Sequence, residues 1–233
     1  MDNELRVAVV CKAAFIKGRV HFRQQNMNSW LTFHHDGLGD DQPQWHQPPG
    51  DSRPQPMEFS EHFGANFLQE SDLNQVVKEI HLAGYVLSDD LEFEQDQSPT
   101  NHWTMFLELD REKSVKVDIT PTYANGEMTG LILLEFKDYT MTNKAVKLLT
   151  FSLKNELHVK DVMKIIMRNG RDRYIFTDKG EGCRFWVCTV IKDLEMAGAI
   201  SKGSAVVAVH TLSCYWGSLT EGISREMETG EFF

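Results

Sequence analysis

"NHWTMFLELDREKSVKVDIT", residues 101–120, decides how the rest of the chain is read. Between 114 and 120, Val115, Val117 and Ile119 alternate with Lys116, Asp118 and Thr120, the period of a strand with one apolar and one polar face. "NHWTMFLEL" (101–109) is aromatic and apolar enough to be a second strand, and the charged "DREK" between them is the turn. "GLILLEF" (130–136) then reads as a third strand, apolar enough to lie centrally in the sheet.

Upstream, "SDLNQVVKEIHLAGY" places Leu73, Val76, Val77 and Ile80 at helical spacing. Ser71 or Asp72 would cap the start and Gly84 the end. Downstream, "TNKAVKLLTF" and "HVKDVMKIIMRNG" both carry helix-spaced apolar residues, the second stopping at Gly170. "RYIFT" (173–177) is a short strand or an extended entry, a helix runs from Cys183 to Gly198, and "SAVVAVHTL" suits either a strand or a helix. "LRVAVVCKAAFI" and "NSWLTFHH" read as strands near the N-terminus. The expectation is an α+β fold: an antiparallel sheet of about four to six strands packed with helices.

The chain has 233 residues, enough for one well-filled core, so residues 1–233 are expected to form a single domain. One window breaks the pattern. Residues 36–59 hold five of the seven prolines among Gly, Asp and Gln, and such a segment cannot bury enough apolar surface to offset its ordering entropy. A mobile insertion is expected at about 36–60.

The net charge of −10 disfavours a phosphate backbone as partner, so no nucleic acid is expected. No run approaches the roughly 18 apolar residues of a membrane span, and the N-terminus resembles neither a secretory signal nor a transit peptide. Four cysteines (Cys11, Cys183, Cys188 and Cys214) show no CxxC pairing for zinc and are too few for a disulfide scaffold. A cytoplasmic setting is expected, with no cofactor and no metal.

The chemistry concentrates in "GEGCRFWVCTVIKDLEMAG" (180–198). Trp186, Val187, Val190, Ile191 and Leu194 fall on the same helical stripe as Cys183, which occupies its first turn. Gly180 and Gly182 permit a sharp turn and a close backbone approach. A thiol at a helix N-terminus feels the positive end of the macrodipole, which favours the thiolate. A nucleophilic cysteine also needs an imidazole. Of nine histidines, His34, His35, His46 and His62 lie in or beside the insertion, and His81 and His158 fall in helical patterns that could be solvated. His210 competes, but His102 opens a strand just after Pro99, where the backbone is rigid enough to aim a ring. Asp118, on the polar face of the next strand, or Asn101 would orient it, depending on register. Asn101, Trp103, Tyr174 and Arg184 are the candidate substrate-binding residues. Trp103 and Trp186 equally suit a core. Arg171, Arg173 and Arg184 either converge on an anionic group or pair with Asp172, Asp178 and Glu181, the commoner arrangement.

"HWTMF" from His102 and "YIFTDKGEGCRFW", with Tyr174, Cys183 and Phe185, resemble the motifs of circularly permuted papain-like proteins. Examples are the lecithin retinol acyltransferases and the permuted deubiquitinating-peptidase-like proteins. In these a strand-borne histidine precedes, in the chain, a cysteine that starts a helix. The resemblance covers about residues 99–200, and Gly182 replaces the asparagine that often precedes the cysteine. The whole chain more closely resembles a group of uncharacterised fungal proteins with a domain of unknown function. They share "NHW", a "GRDRYxFT–GEGCRxW" block and an aromatic C-terminus like "GEFF". That resemblance implies no activity; the location of some members near secondary-metabolism genes would imply a small-molecule substrate.

Three expectations follow. The first is a cysteine-dependent acyl-transfer or hydrolytic enzyme acting on a small molecule or peptide, with Cys183 as nucleophile, His102 as acid–base and Asp118 as orienting group. The second is a small-molecule isomerase or cyclase using the same cleft, and the third a non-catalytic ligand-binding or interaction domain.

Overall fold

The computed structural model describes residues 57–86, 99–124, 126–217 and 221–233. The two N-terminal strands expected from sequence lie outside the described residues. So does the 36–60 insertion apart from residues 57–60, which carry no helix or strand.

In chain order the elements are β1 (Phe63–Phe67), α1 (Glu70–Leu73), β2 (Val76–Val86), β3 (Asn101–Glu108), β4 (Ser114–Ala124), β5 (Glu127–Lys137) and β6 (Lys147–His158). There follow α2 (Val159–Arg168), β7 (Tyr174–Ile175), α3 (Cys183–Met196), α4 (Ser204–Leu212), β8 (Cys214–Trp216), β9 (Gly222–Ser224) and β10 (Glu231–Phe232). Among the described residues eight strands join in one sheet, in the order β10-β7-β5-β4-β3-β2-β6, with β1 parallel on β5; β8 and β9 form a separate ribbon. An antiparallel sheet with helices agrees with the expected architecture, but eight strands exceed the expected four to six. None of the helices among the described residues is long and apolar enough to cross a membrane.

The β3–β4 hairpin forms as its alternation requires. Met105 pairs Val117, Phe106 pairs Lys116 and Leu107 pairs Val115. Its turn is tight enough to hold Arg111 and Glu112 at φ of 61° and 57°. Trp103, Met105, Leu107, Val115, Val117 and Ile119 join one buried cluster with Val162 and Met163 of α2 and Trp186, Val187, Val190 and Ile191 of α3. The helices therefore cover one face of the sheet. On β3, His102, Thr104, Phe106 and Glu108 occupy the alternate positions.

Two segments read as helices are strands. Val76–Val86 is β2, after a single helical turn at Glu70–Leu73, and Lys147–His158 is β6. The β2–β6 ladder is irregular between Val77 and Glu79, so Val77 and Ile80, three apart, are both buried without a helix. On β6, Leu149 and Phe151 join the main core while Leu148 lines a pocket. Burial on two faces blurred the alternation. "SAVVAVHTL", open between two readings, is the helix α4.

The helix ends follow local chemistry. Gly170 and Gly198, at φ 65° and 71°, close α2 and α3 with paired C-terminal bonds, Arg171 N–H to Ile166 O and Ala199 N–H to Leu194 O. Glu195, in the last turn of α3, accepts from the Gly203 and Ala205 amides at 3.0 and 2.7 Å and so caps α4.

Candidate active site

Cys183 is the first residue of α3 and is half-buried. Its turn is built around Gly182, at φ 145°, a conformation L side chains rarely adopt. A Cβ there would also lie 2.6 Å from the Tyr174 hydroxyl and 3.3 Å from Phe176. Tyr174 is fully buried and donates to the Gly182 carbonyl at 2.9 Å, while accepting from the Gly230 amide at 2.9 Å. One phenol thus ties the cysteine turn to the C-terminal tail, where the Phe232 ring packs at a tilt against Tyr174 and Phe185. Burial raises the pKa of Tyr174, so it remains a donor.

No side chain caps the start of α3, and its first turn holds no acidic residue. The positive end of the helix therefore meets Cys183. The leading amides have no intrahelical acceptor and face the same way.

His102, second in β3, is buried, and its Nε2 bonds Asp118 Oδ1. The hydrogen-bonded β3–β4 register ends at Met105–Val117, short of both residues, and the two side chains bridge the strands beyond it. With Nε2 bonded to Asp118, Nδ1 is the ring nitrogen not engaged by the carboxylate. Cys183 is close enough to act on the ring electrostatically, alongside Asp118. Burial opposes charge on the ring, but Asp118 and Cys183 together outweigh it and raise the His102 pKa from 6.5 to about 10. Asp118 resists burial in the same way: His102 and Lys116 hold its pKa down to about 2. Lys116 Nζ lies 2.8 Å from Asp118 Oδ2 and 3.0 Å from Glu135 Oε2, which fixes the carboxylate from its other side.

Of the remaining residues singled out from sequence, Asn101 does not orient His102. Its side chain pairs with the Trp216 backbone in both directions, at 3.2 and 2.8 Å, and its carbonyl lies 4.0 Å from Cys183 Sγ. Trp103 is fully buried in the core, its indole N–H without a partner. Arg184 is committed to the backbone: it is buried and donates to the carbonyls of Leu212, Arg225 and Glu226, with Glu181 at 3.7 Å. Arg171 takes Asp193 in a two-toothed pair at 2.6 and 3.3 Å, not Asp172, which accepts from Ser60 instead. Arg173 is exposed. The three arginines do not converge. Cys188, one turn along α3, is buried, and burial pushes its thiol up to about 12. His210 is exposed on α4, and His158 precedes α2 as its N-cap.

Sequence reasoning passed over Lys116, Trp216 and the Tyr174–Gly182 tie. Lys116 was visible, since it shares a strand face with Asp118 two residues away. Trp216 had no local signal, because its backbone bonds to Asn101 join residues 115 positions apart.

No curated protein and no solved structure matches this chain. Residues 80–233, which carry Cys183, His102, Asp118 and the C-terminal tail, match the family described as Domain of unknown function (DUF7770), and the chain belongs to that family.

Proposed function

We propose that the protein is a thiol-dependent acyl-transfer or hydrolytic enzyme with a Cys183–His102–Asp118 triad. The observation that carries the reading is His102, buried and bonded to the Asp118 carboxylate, in the neighbourhood of a cysteine that starts a helix. An imidazole set between a carboxylate and a thiol is the acid–base group that a cysteine nucleophile needs.

The chemistry follows from that pair. The Cys183 thiolate attacks the carbonyl carbon of an ester, thioester or amide. A C–S bond forms and the carbonyl π pair moves to oxygen. Amides of the first turn of α3 stabilise that oxygen. When the tetrahedral intermediate collapses, the bond to the leaving group breaks, and Nδ1 of His102 gives its proton to that group. The acyl group remains on Cys183 as a thioester. Water or another acceptor then attacks, gives its proton to His102, and releases the acyl group with the thiolate restored. Asp118 keeps the ring aimed throughout, with Lys116 holding the carboxylate. The order His102, Asp118, Cys183 along the chain supports a circularly permuted papain-like arrangement. A small acyl-bearing molecule or a peptide is the substrate class, and the reading needs no cofactor.

The test is a mass-spectrometric search for an acyl-enzyme. Incubation with p-nitrophenyl acetate should place an acetyl group on Cys183 ahead of the other cysteines, and His102→Ala should remove that preference. Acetylation spread evenly over the cysteines would leave a non-catalytic ligand-binding domain, or an isomerase or cyclase without a covalent step, as the better reading.

A further inference from the structure

A second polar cluster lies at the other end of the β2–β3 ladder. Glu79 and His81 sit two apart on β2 and so share a face. His81 pairs Phe106, and continuing the register one step past Ile80–Leu107 sets Glu79 opposite Glu108. His81 is 2% exposed, so its ring cannot swing out to solvent. Its Nδ1 lies 2.9 Å from Thr150 Oγ1 and its Nε2 2.7 Å from Glu108 Oε2. Ser152 donates to Glu79 at 2.9 Å. One ligand atom from each of Glu79, His81 and Glu108 lies within 4.8 Å of the other two.

Two carboxylates directly opposed on a ladder repel each other. A cation between them would turn that repulsion into coordination. The residues have the parts for it: one imidazole and two carboxylates on two adjacent strands, with a threonine hydroxyl on the far ring nitrogen, the outer contact that fixes a ligating histidine. The three side chains also line a pocket of about 790 Å³, with Leu148, Met141 and Val207 among its apolar walls. Three protein ligands facing a pocket leave coordination positions open to a ligand oxygen, unlike a closed structural site.

We infer that Glu79, His81 and Glu108 form a binding site for a divalent first-row cation of the zinc and manganese class. The sequence showed no zinc spacing because the ligands come from two strands joined only by tertiary pairing. His81 pairs Phe106, and His102 lies four residues further along β3, roughly 13 Å at strand rise. One cation therefore cannot bridge this cluster and Cys183, and the inference stands or falls independently of the thiol chemistry.

The test uses the full chain, stripped with chelator and dialysed. Co2+ is added and followed by visible absorption, which reports nitrogen and oxygen coordination directly, and Zn2+ and Mn2+ are titrated by calorimetry. One equivalent should bind, with cobalt bands that Zn2+ removes. Glu108→Gln and Glu79→Gln, which preserve side-chain size, should each weaken binding more than tenfold. Thr150→Val, an outer contact, should weaken it by about 10- to 100-fold. Circular dichroism establishes that each variant is folded, and Glu79→Gln, on a half-exposed side chain, serves if Glu108→Gln does not fold. Cys183→Ala should keep the cobalt spectrum. Absence of one-equivalent binding, binding indifferent to both glutamine variants, or a spectrum lost with Cys183 would overturn the inference.

Discussion

Two buried histidines mark the two ends of the β2–β3 ladder, and each is bonded to a carboxylate from a neighbouring strand position. His102 holds Asp118, and His81 holds Glu108. The pairs differ in what stands third. Beside His102 it is a cysteine at an uncapped helix start. Beside His81 it is a second carboxylate, Glu79, with a pocket in front. An imidazole–carboxylate pair is thus not a function in itself. A neighbouring thiol gives the ring a proton to hold and deliver, whereas a neighbouring carboxylate gives it a charge to share with a cation. The carboxylates also differ in support: Asp118 is buried and braced by Lys116, while Glu108 is only half-buried.

The largest effect should separate the thiols. Cys183→Ala should abolish acylation, and His102→Ala should slow it by about 10²–10⁴-fold, the usual weight of an acid–base group. Cys188→Ala should leave the acylation rate unchanged, because that thiol is buried and its pKa is pushed up. Equal losses from the two cysteine variants, measured by stopped-flow release of p-nitrophenol, would erase the contrast on which the proposed active site rests.

Gly182→Ala should be next. The φ of 145° and the 2.6 Å approach to the Tyr174 hydroxyl make alanine strained there, at about 1–3 kcal/mol by urea unfolding. Acylation should fall as well, since the strain is released by moving the cysteine turn. Tyr174→Phe is gentler. It strips a donor from the Gly182 carbonyl and an acceptor from the Gly230 amide, costing about 1–3 kcal/mol. Limited proteolysis should show the C-terminal tail loosening in this variant, while the His81 end of the ladder is unaffected.

The contrast should also show in pH dependence. His102, raised from 6.5 to about 10, contributes stability that is fully present below pH 6.5 and lost as pH rises through about 10. Asp118, lowered from 3.8 to about 2, contributes stability present above 3.8 and lost as pH falls through about 2. Thermal melts should therefore show a decline from pH 6.5 to 10, and Asp118→Asn should flatten it. A decline of undiminished slope in Asp118→Asn would place its origin outside this pair.

Much of the frame could be read along the chain. Alternation at Val115, Val117 and Ile119 identified a strand, the stripe from Trp186 to Leu194 identified α3, and Gly170 and Gly198 marked helix ends that the structure closes at those residues. These signals are local: each depends on residues within a few positions of one another, through backbone dihedral preference and the period of side-chain direction. β2 and β6 were misread because their apolar residues answer to two covered faces and an irregular ladder, which imitate helical spacing.

The sequence by itself determined that a cysteine begins a helix, that a histidine begins a strand, and that Asp118 lies on a polar strand face. Only the tertiary structure decided between Asp118 and Asn101 as the partner of His102. It alone turned Arg184 onto backbone carbonyls and brought Glu79, His81 and Glu108 together. The reason is physical. Strand register and helix docking are set by the burial of whole faces, and a shift of one residue exchanges every side chain between core and polar face. That choice depends on the packing of distant segments, such as α3 against β3, and no short stretch of sequence contains it.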